Sequence, residues 1–162
     1  MADKPIPIVV GAVVTRKRIL LIKRKTGNYK GYWALPGGKV EKDEHLSAAA
    51  VREIKEEAGI DCTFTELFGI VSEHFKEADN LIEHFLINFC ELKAKSSKLQ
   101  HSDEGIVEWF SLEKLKYMKQ KLVPSDFEMI EKMLLKSEGR YFDCLMENVD
   151  GKLVLKKFEK LS

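Results

Sequence analysis

Gly38-Lys-Val-Glu-Lys-Asp-Glu44-His-Leu-Ser-Ala-Ala-Ala-Val-Arg52-Glu53-Ile54-Lys-Glu56-Glu57-Ala-Gly59-Ile60 is the stretch whose reading decides the rest of the chain. A glycine turn feeds a predicted helix, Glu44 to Ala58, opened by Asp43 or a neighbour as cap and closed by Gly59. At ~100° per residue, Glu53, Glu56 and Glu57 share an arc of about 100°, and Ala50, Val51, Ile54 and Ala58 form the neighbouring arc expected to be buried. Arg52 can pair with Glu56 at i,i+4. Glu53 has only Ala49, Ala50, Glu56 and Glu57 at its helical neighbour positions, and Glu57 has Glu53, Ile54, Ile60 and Asp61. Neither meets a cation at these spacings. Two carboxylates ~5 Å apart repel by about 3 kcal/mol at an effective dielectric near 20, and acids near a helix C-terminus oppose its dipole. A bound divalent cation offsets these penalties together. Oxygen ligands without His or Cys favour Mg²⁺, with Mn²⁺ as the alternative.

The surroundings suit an anionic substrate carried with a metal. Net charge is only +1, so no overall field argues for nucleic acid or membrane as partner. Residues 1–39 nevertheless carry nine Lys/Arg against Asp3 alone, and residues 41–61 carry seven acids against three cations. A solvated basic hairpin explains the first segment equally well. The 162 residues suit one domain with a real core. Cys62, Cys90 and Cys144 are odd in number and fit no zinc spacing, which suggests free thiols in a reducing compartment. Without a membrane span or signal-peptide pattern, the expected location is cytoplasmic.

Ile6 to Thr15 and Arg18 to Lys25 read as a hairpin, followed by a glycine-rich loop, Thr26 to Gly38. Beyond the glutamate helix, strands are expected at Thr63 to Phe75 and Leu81 to Lys93 around a polar turn at Ala78-Asp79-Asn80. A polar loop, Lys95 to Asp103, leads to a short strand at Ile106 to Phe110. Ser125-Asp-Phe-Glu128 reads as a capping box before a second helix carrying Phe127, Ile130 and Leu134 on one face. Arg140 to Phe158 alternates around Asp150-Gly151 and reads as a terminal hairpin. It is apolar enough to need cover, by packing on the same domain or in a homodimer. Mixed strands and helices without regular βα alternation suggest helices on a mixed sheet.

The pattern Gly38, five residues, Glu44, seven residues, then Arg52-Glu53-Ile54-x-Glu56-Glu57-x-Gly59-Ile60 resembles the Nudix box at every specified position. Trp33-Ala-Leu-Pro36-Gly37-Gly38 is similar to the family's approach to the box, and the order of elements resembles MutT-type Nudix hydrolases from Ile6 to Lys136. The resemblance implies an α/β/α sandwich with a mixed β-sheet, expected over residues 1–139; it does not cover 140–162, which are expected to add a C-terminal β-hairpin extension. It also implies Mg²⁺-dependent hydrolysis of a nucleoside diphosphate-linked, small-molecule nucleotide substrate. Glu53, Glu56, Glu57 and the Gly38 carbonyl would be metal ligands. Arg52 would orient a box glutamate, and Glu44 would be a structural acid near the helix start.

Outside the box, Glu104 stands where MutT-like members place an acid that assists metal or water, with Asp103 as its substitute in a shifted register. Arg24 could reach substrate phosphates, or be plain surface charge. Asp126 aligns with a position some members use to read a purine edge, though an Asp in a helix's first turn is ordinary. Trp33 is expected as core or pocket wall, with base stacking as a further role. His74 and His84 are read as structural. Val71 to Lys76 carries neither the proline typical of ADP-ribose hydrolases nor the tyrosine of dinucleoside-polyphosphate hydrolases. That leaves nucleoside triphosphate clean-up ahead of an ADP-ribose or nucleotide-sugar pyrophosphatase. A prenyl diphosphate isomerase or a non-catalytic nucleotide sensor on the same fold is disfavoured by the intact glutamates.

Overall fold

The structure is a computed structural model that describes residues 3–161, so the expected segment limits at 1 and 162 lie outside the described residues. Strands β1 (Ile6–Thr15) and β2 (Arg18–Arg24) form the expected hairpin, with Arg16 and Lys17 in its left-handed turn. The glycine-rich loop is interrupted by two short strands, β3 (Trp33–Ala34) and β4 (Gly37–Lys39). Then come helix α1 (Leu46–Ala58), β5 (Cys62–Glu77), β6 (Asn80–Ala94) and β7 (Gly105–Ser111). A 3-10 stretch, Leu112–Lys121, precedes α2 (Pro124–Glu128), and the terminal hairpin is β8 (Tyr141–Val149) and β9 (Lys152–Lys160).

The sheet runs β3-β2-β1-β6-β5-β8-β9, with β4 on β1 and β7 on β2. β1 is parallel to β6 and β5 to β8, while the other pairs are antiparallel. Strand alternation divides the core into two layers. Val9, Val13, Leu20 and Ile22 pack on Ala49, Ala50, Ile54 and Ala58 of α1. Val10, Ala12, Ile19 and Leu21 pack toward Leu115, Phe127, Ile130 and Phe142. A mixed sheet covered on both faces is the α/β/α sandwich.

Four local readings are corrected. Helix α1 begins at Leu46 rather than Glu44; His45 occupies the cap position without a side-chain bond, and Glu44 Oε1 accepts from the Glu41 N–H (2.9 Å). Its closure is as expected, with Gly59 at φ 72° donating to the Lys55 carbonyl. The capping box does not form. Pro124 enters the first turn, where its missing N–H costs nothing, so Val123 becomes the cap and Ser125 lies buried inside the helix. The helix then widens into π-helical turns over Met129–Leu135, which bury Met133 and leave Leu134 half-buried. On α1, Val51 is only half-buried, whereas Glu53 and Glu57 are buried.

Candidate active site

Helix α1 turns its last two turns toward β4, and Gly38 makes the approach possible, since a Cβ there would lie 2.6 Å from Glu53 Oε1. Gly37 is needed for the pairing of β4 with β1, where a Cβ would run into the Val9 carbonyl oxygen. With hydrogens there instead, the Gly37 N–H donates to Glu57 Oε1 at 2.6 Å. Glu104 comes from the other side. It stands in a turn closed by Ser102 and Gly105, and Gly105 pairs with Arg24 at the end of β2. One carboxylate oxygen each from Glu53, Glu57 and Glu104 lies within 4.8 Å of the others.

Glu57 is fully buried, and among the described residues its Oε2 has no hydrogen-bond partner. The Arg24 guanidinium stands 3.8 Å away, beyond hydrogen-bond reach. Burial, with Glu104 and Glu53 adding to it against Arg24, pushes the Glu57 carboxyl up to about 9. Burial also raises Glu53, opposed by Arg52. An orphaned buried oxygen, two neighbouring carboxylates and a glycine-lined cradle fit a hard divalent cation, and Glu53, Glu57 and Glu104 are the residues placed to hold it.

Arg52 joins the remaining box acids. Its Nε and Nη2 donate to the two oxygens of Glu44 (2.9 and 2.6 Å), and Nη1 donates to Glu53 (2.9 Å) and Glu56 (3.1 Å). Glu53 therefore does have a cation on its own helix, at i−1: the long guanidinium folds back where spacing rules consider only i±3 and i±4. Hydrogen bonds from Arg52, then from the Glu41 backbone, hold Glu44 down to about 2. Glu44 thus acts as the anchor of Arg52. Glu56 is half-exposed and lies outside the three-carboxylate cluster.

A cavity of about 320 Å³ opens beside Gly37 and Gly38, with Arg24 and Lys39 on its lining, Phe85 as an apolar wall and Asp126 within it. Asp126 Oδ2 accepts from the Leu35 N–H at 2.8 Å. Burial first, with Glu73 adding to it, pushes Asp126 up to about 7. Trp33 does not belong to the cavity lining: on β3 it is Ala34 that faces the cavity, while Trp33 packs edge-on against Phe110 with ring centroids 4.7 Å apart. Asp103 stays exposed beside Glu104. His74 and His84 stack edge-on across β5 and β6 at 4.5 Å. Sequence reasoning passed over Tyr29 and Glu73, which also line the cavity and are hydrogen-bonded to each other.

With this geometry in place, comparison with known proteins defines the class. The NUDIX domain model matches residues 5–133, and the chain belongs to that family. It is 31% identical over 137 residues to CTP pyrophosphohydrolase of Escherichia coli, covering 83% of this chain and 96% of that one. It is 47% identical over 68 residues to ADP-ribose pyrophosphatase of Methanocaldococcus jannaschii, covering 42% of this chain and 40% of that one. The crystal structure of the mutator MutT protein of Bacillus halodurans shares the fold, with a TM-score of 0.75 at 21% identity over 95% of this chain and 96% of that one. The chain spans 36–40% of the length of three curated relatives that it matches, the ADP-ribose pyrophosphatase among them. Among the described residues, no helix is long and apolar enough to cross a membrane.

Proposed function

We propose that the protein is a pyrophosphohydrolase that cleaves a phosphoric anhydride bond in a nucleoside diphosphate-linked substrate, a nucleoside triphosphate foremost, with Mg²⁺ as cofactor. The observation that carries this reading is the convergence of Glu53, Glu57 and Glu104 beside a cavity edged by Arg24 and Lys39. When bound, a divalent cation would neutralise phosphate oxygens and lower the pKa of an attacking water. The chain's own residues supply aim and charge. Glu53, Glu57 and Glu104 are the metal-holding groups, and Glu56 and the Gly38 carbonyl are adjacent candidates. Arg52, fixed by Glu44, holds the Glu53 carboxylate in orientation. Arg24 meets the phosphates, and Asp126 offers its second oxygen to the base.

Exposed Glu104 is the acid of the three-carboxylate cluster best placed to take a proton from water. Full burial would deny Glu57 that exchange with solvent.

The relative named CTP pyrophosphohydrolase supports the triphosphate reading, since it matches along nearly its whole length. The relative named ADP-ribose pyrophosphatase supports the alternative, a nucleotide-sugar or ADP-ribose pyrophosphatase. Incubating the protein with nucleoside triphosphates, ADP-ribose and nucleotide sugars in Mg²⁺, scored by product identity, separates the two. Nucleoside monophosphate plus pyrophosphate from a triphosphate is the expected result. Exclusive turnover of ADP-ribose favours the alternative, and no turnover of any substrate overturns the hydrolase reading.

A further inference from the structure

Strand β5 sends Val71, Glu73 and Phe75 into the same layer, and the middle one is an acid with no exposed surface. Among the described residues, no lysine, arginine or histidine forms an ion pair with Glu73. Its partners are neutral. The Tyr29 hydroxyl donates to Oε2, the Cys144 thiol lies 3.6 Å from Oε1, and the Ser125 hydroxyl faces the carboxylate without reaching good hydrogen-bond geometry. Burial raises the Glu73 carboxyl, and these three donors pull it back down. A Leu at 73 and a Phe at 29 would fill the same space without burying an acid. The pair must therefore do something that packing alone does not require.

Position supplies that role. Tyr29 belongs to the loop between β2 and β3, which turns through left-handed Gly27 and Gly31 and lines the cavity at Gly27, Asn28 and Tyr29. Two tyrosines pin this loop to different strands. Tyr29 reaches Glu73 on β5 and stands edge-on to Phe75 at 5.6 Å, while Tyr32 Oη accepts from the Leu153 N–H of β9 at 3.1 Å. Cys144 comes from β8, so the terminal hairpin, beyond the matched residues 5–133, supports the same wall twice.

We propose that Glu73 is a positioning residue of the substrate cavity. Through Tyr29 it fixes the 27–32 loop as a cavity wall, and through Cys144 it ties that wall to the C-terminal hairpin. The inference rests on the nucleotide reading above. It concerns how firmly the nucleoside end is held, not the chemistry at the phosphates.

The test compares wild type with Tyr29→Phe, Glu73→Leu and Glu73→Gln, using the best nucleoside triphosphate from the panel and, separately, equilibrium binding of AMP, CMP, GMP and UMP. Tyr29→Phe and Glu73→Leu should raise KM and weaken monophosphate binding by roughly 2- to 10-fold, the range of one lost net hydrogen bond. Turnover number should change little. Glu73→Gln keeps an acceptor for Tyr29 and should restore most of the loss. Wild-type KM and wild-type monophosphate binding in Tyr29→Phe and Glu73→Leu, with only the melting temperature lowered, overturn the proposal. A wild type that binds monophosphates but hydrolyses nothing overturns the hydrolase reading alone, and the binding measurements then decide this one. A wild type that does neither overturns both.

Discussion

At the scale of single residues, Glu57 carries a large electrostatic cost, set first by its burial. Its folded-state pKa, about 9, lies above the ordinary 4.5, so between those values the metal-free native state holds a proton that the unfolded chain has released. Asp126 does the same between 3.8 and about 7. Stability from both groups is complete below their unfolded values and is lost as pH rises through the folded ones. The metal-free protein should therefore lose thermal stability from pH 4.5 to 9, and Asp126→Asn should make the decline below pH 7 shallower, leaving the Glu57 share, an effect on the order of 2–4 kcal/mol. Melting curves across pH check this, and a midpoint that stays level or rises contradicts it.

Arg52 makes a second residue-scale prediction, because its planar fork serves Glu44, Glu53 and Glu56 at once. A lysine ammonium cannot span the three, so Arg52→Lys should cost roughly 10- to 100-fold in activity, the range for residues that orient metal ligands. Steady-state kinetics measure it, and near-wild-type activity would show that the fork is dispensable. The glutamates of α1 were legible because they lie within five positions of sequence. Glu73 was not, because its partner Tyr29 is 44 residues away and nothing local separates Glu73 from exposed Glu66 and Glu77 on the same strand.

Among the elements, the two helices show what local pattern can and cannot carry. Gly59 ends α1 as its position implied, since φ 72° is open to glycine and an added Cβ would sit 2.8 Å from Gln100 Cβ. Gly59→Ala should cost about 1–2 kcal/mol, combining left-handed strain with the close contact. The Ser125 capping box looked equally regular, but Pro124 displaced the cap by two residues, to Val123. Ser125→Ala should therefore cost less than the ~1 kcal/mol of a working N-cap. Chemical denaturation of the two variants side by side reads both, and a larger loss at Ser125 than at Gly59 would reverse the assignment. The widening of α2 into π-helical turns, which bury Met129, Ile130 and Met133, left no sequence signal.

For the molecule as a whole, the mixture of strands and helices without regular βα alternation implied helices on a mixed sheet, and the near-continuous burial of β1 and β2 shows that sheet covered on both faces. The placing of β8 parallel to β5 depends on pairing across about seventy residues and could not be read locally. The terminal hairpin buries Phe142, Cys144, Met146 and Leu153. Four such side chains at ~1.5–3 kcal/mol each approach the entire stability of a typical domain. Removing residues 140–162 should leave a chain that does not fold cooperatively, as circular dichroism and solubility would show. A soluble, cooperatively melting truncation would mean that the hairpin is an addition rather than a support.

The charge pattern, the glycine cradle and the cavity all depend on one claim, that Glu53, Glu57 and Glu104 together hold a divalent cation. Calorimetric titration of Mn²⁺ into wild type and Glu57→Gln, with folding of both verified, tests it most directly. The account predicts saturable binding by wild type and at least roughly tenfold weaker binding by the variant, since one of three carboxylate ligands is lost. Equal affinities, or no saturable binding by wild type, would contradict it.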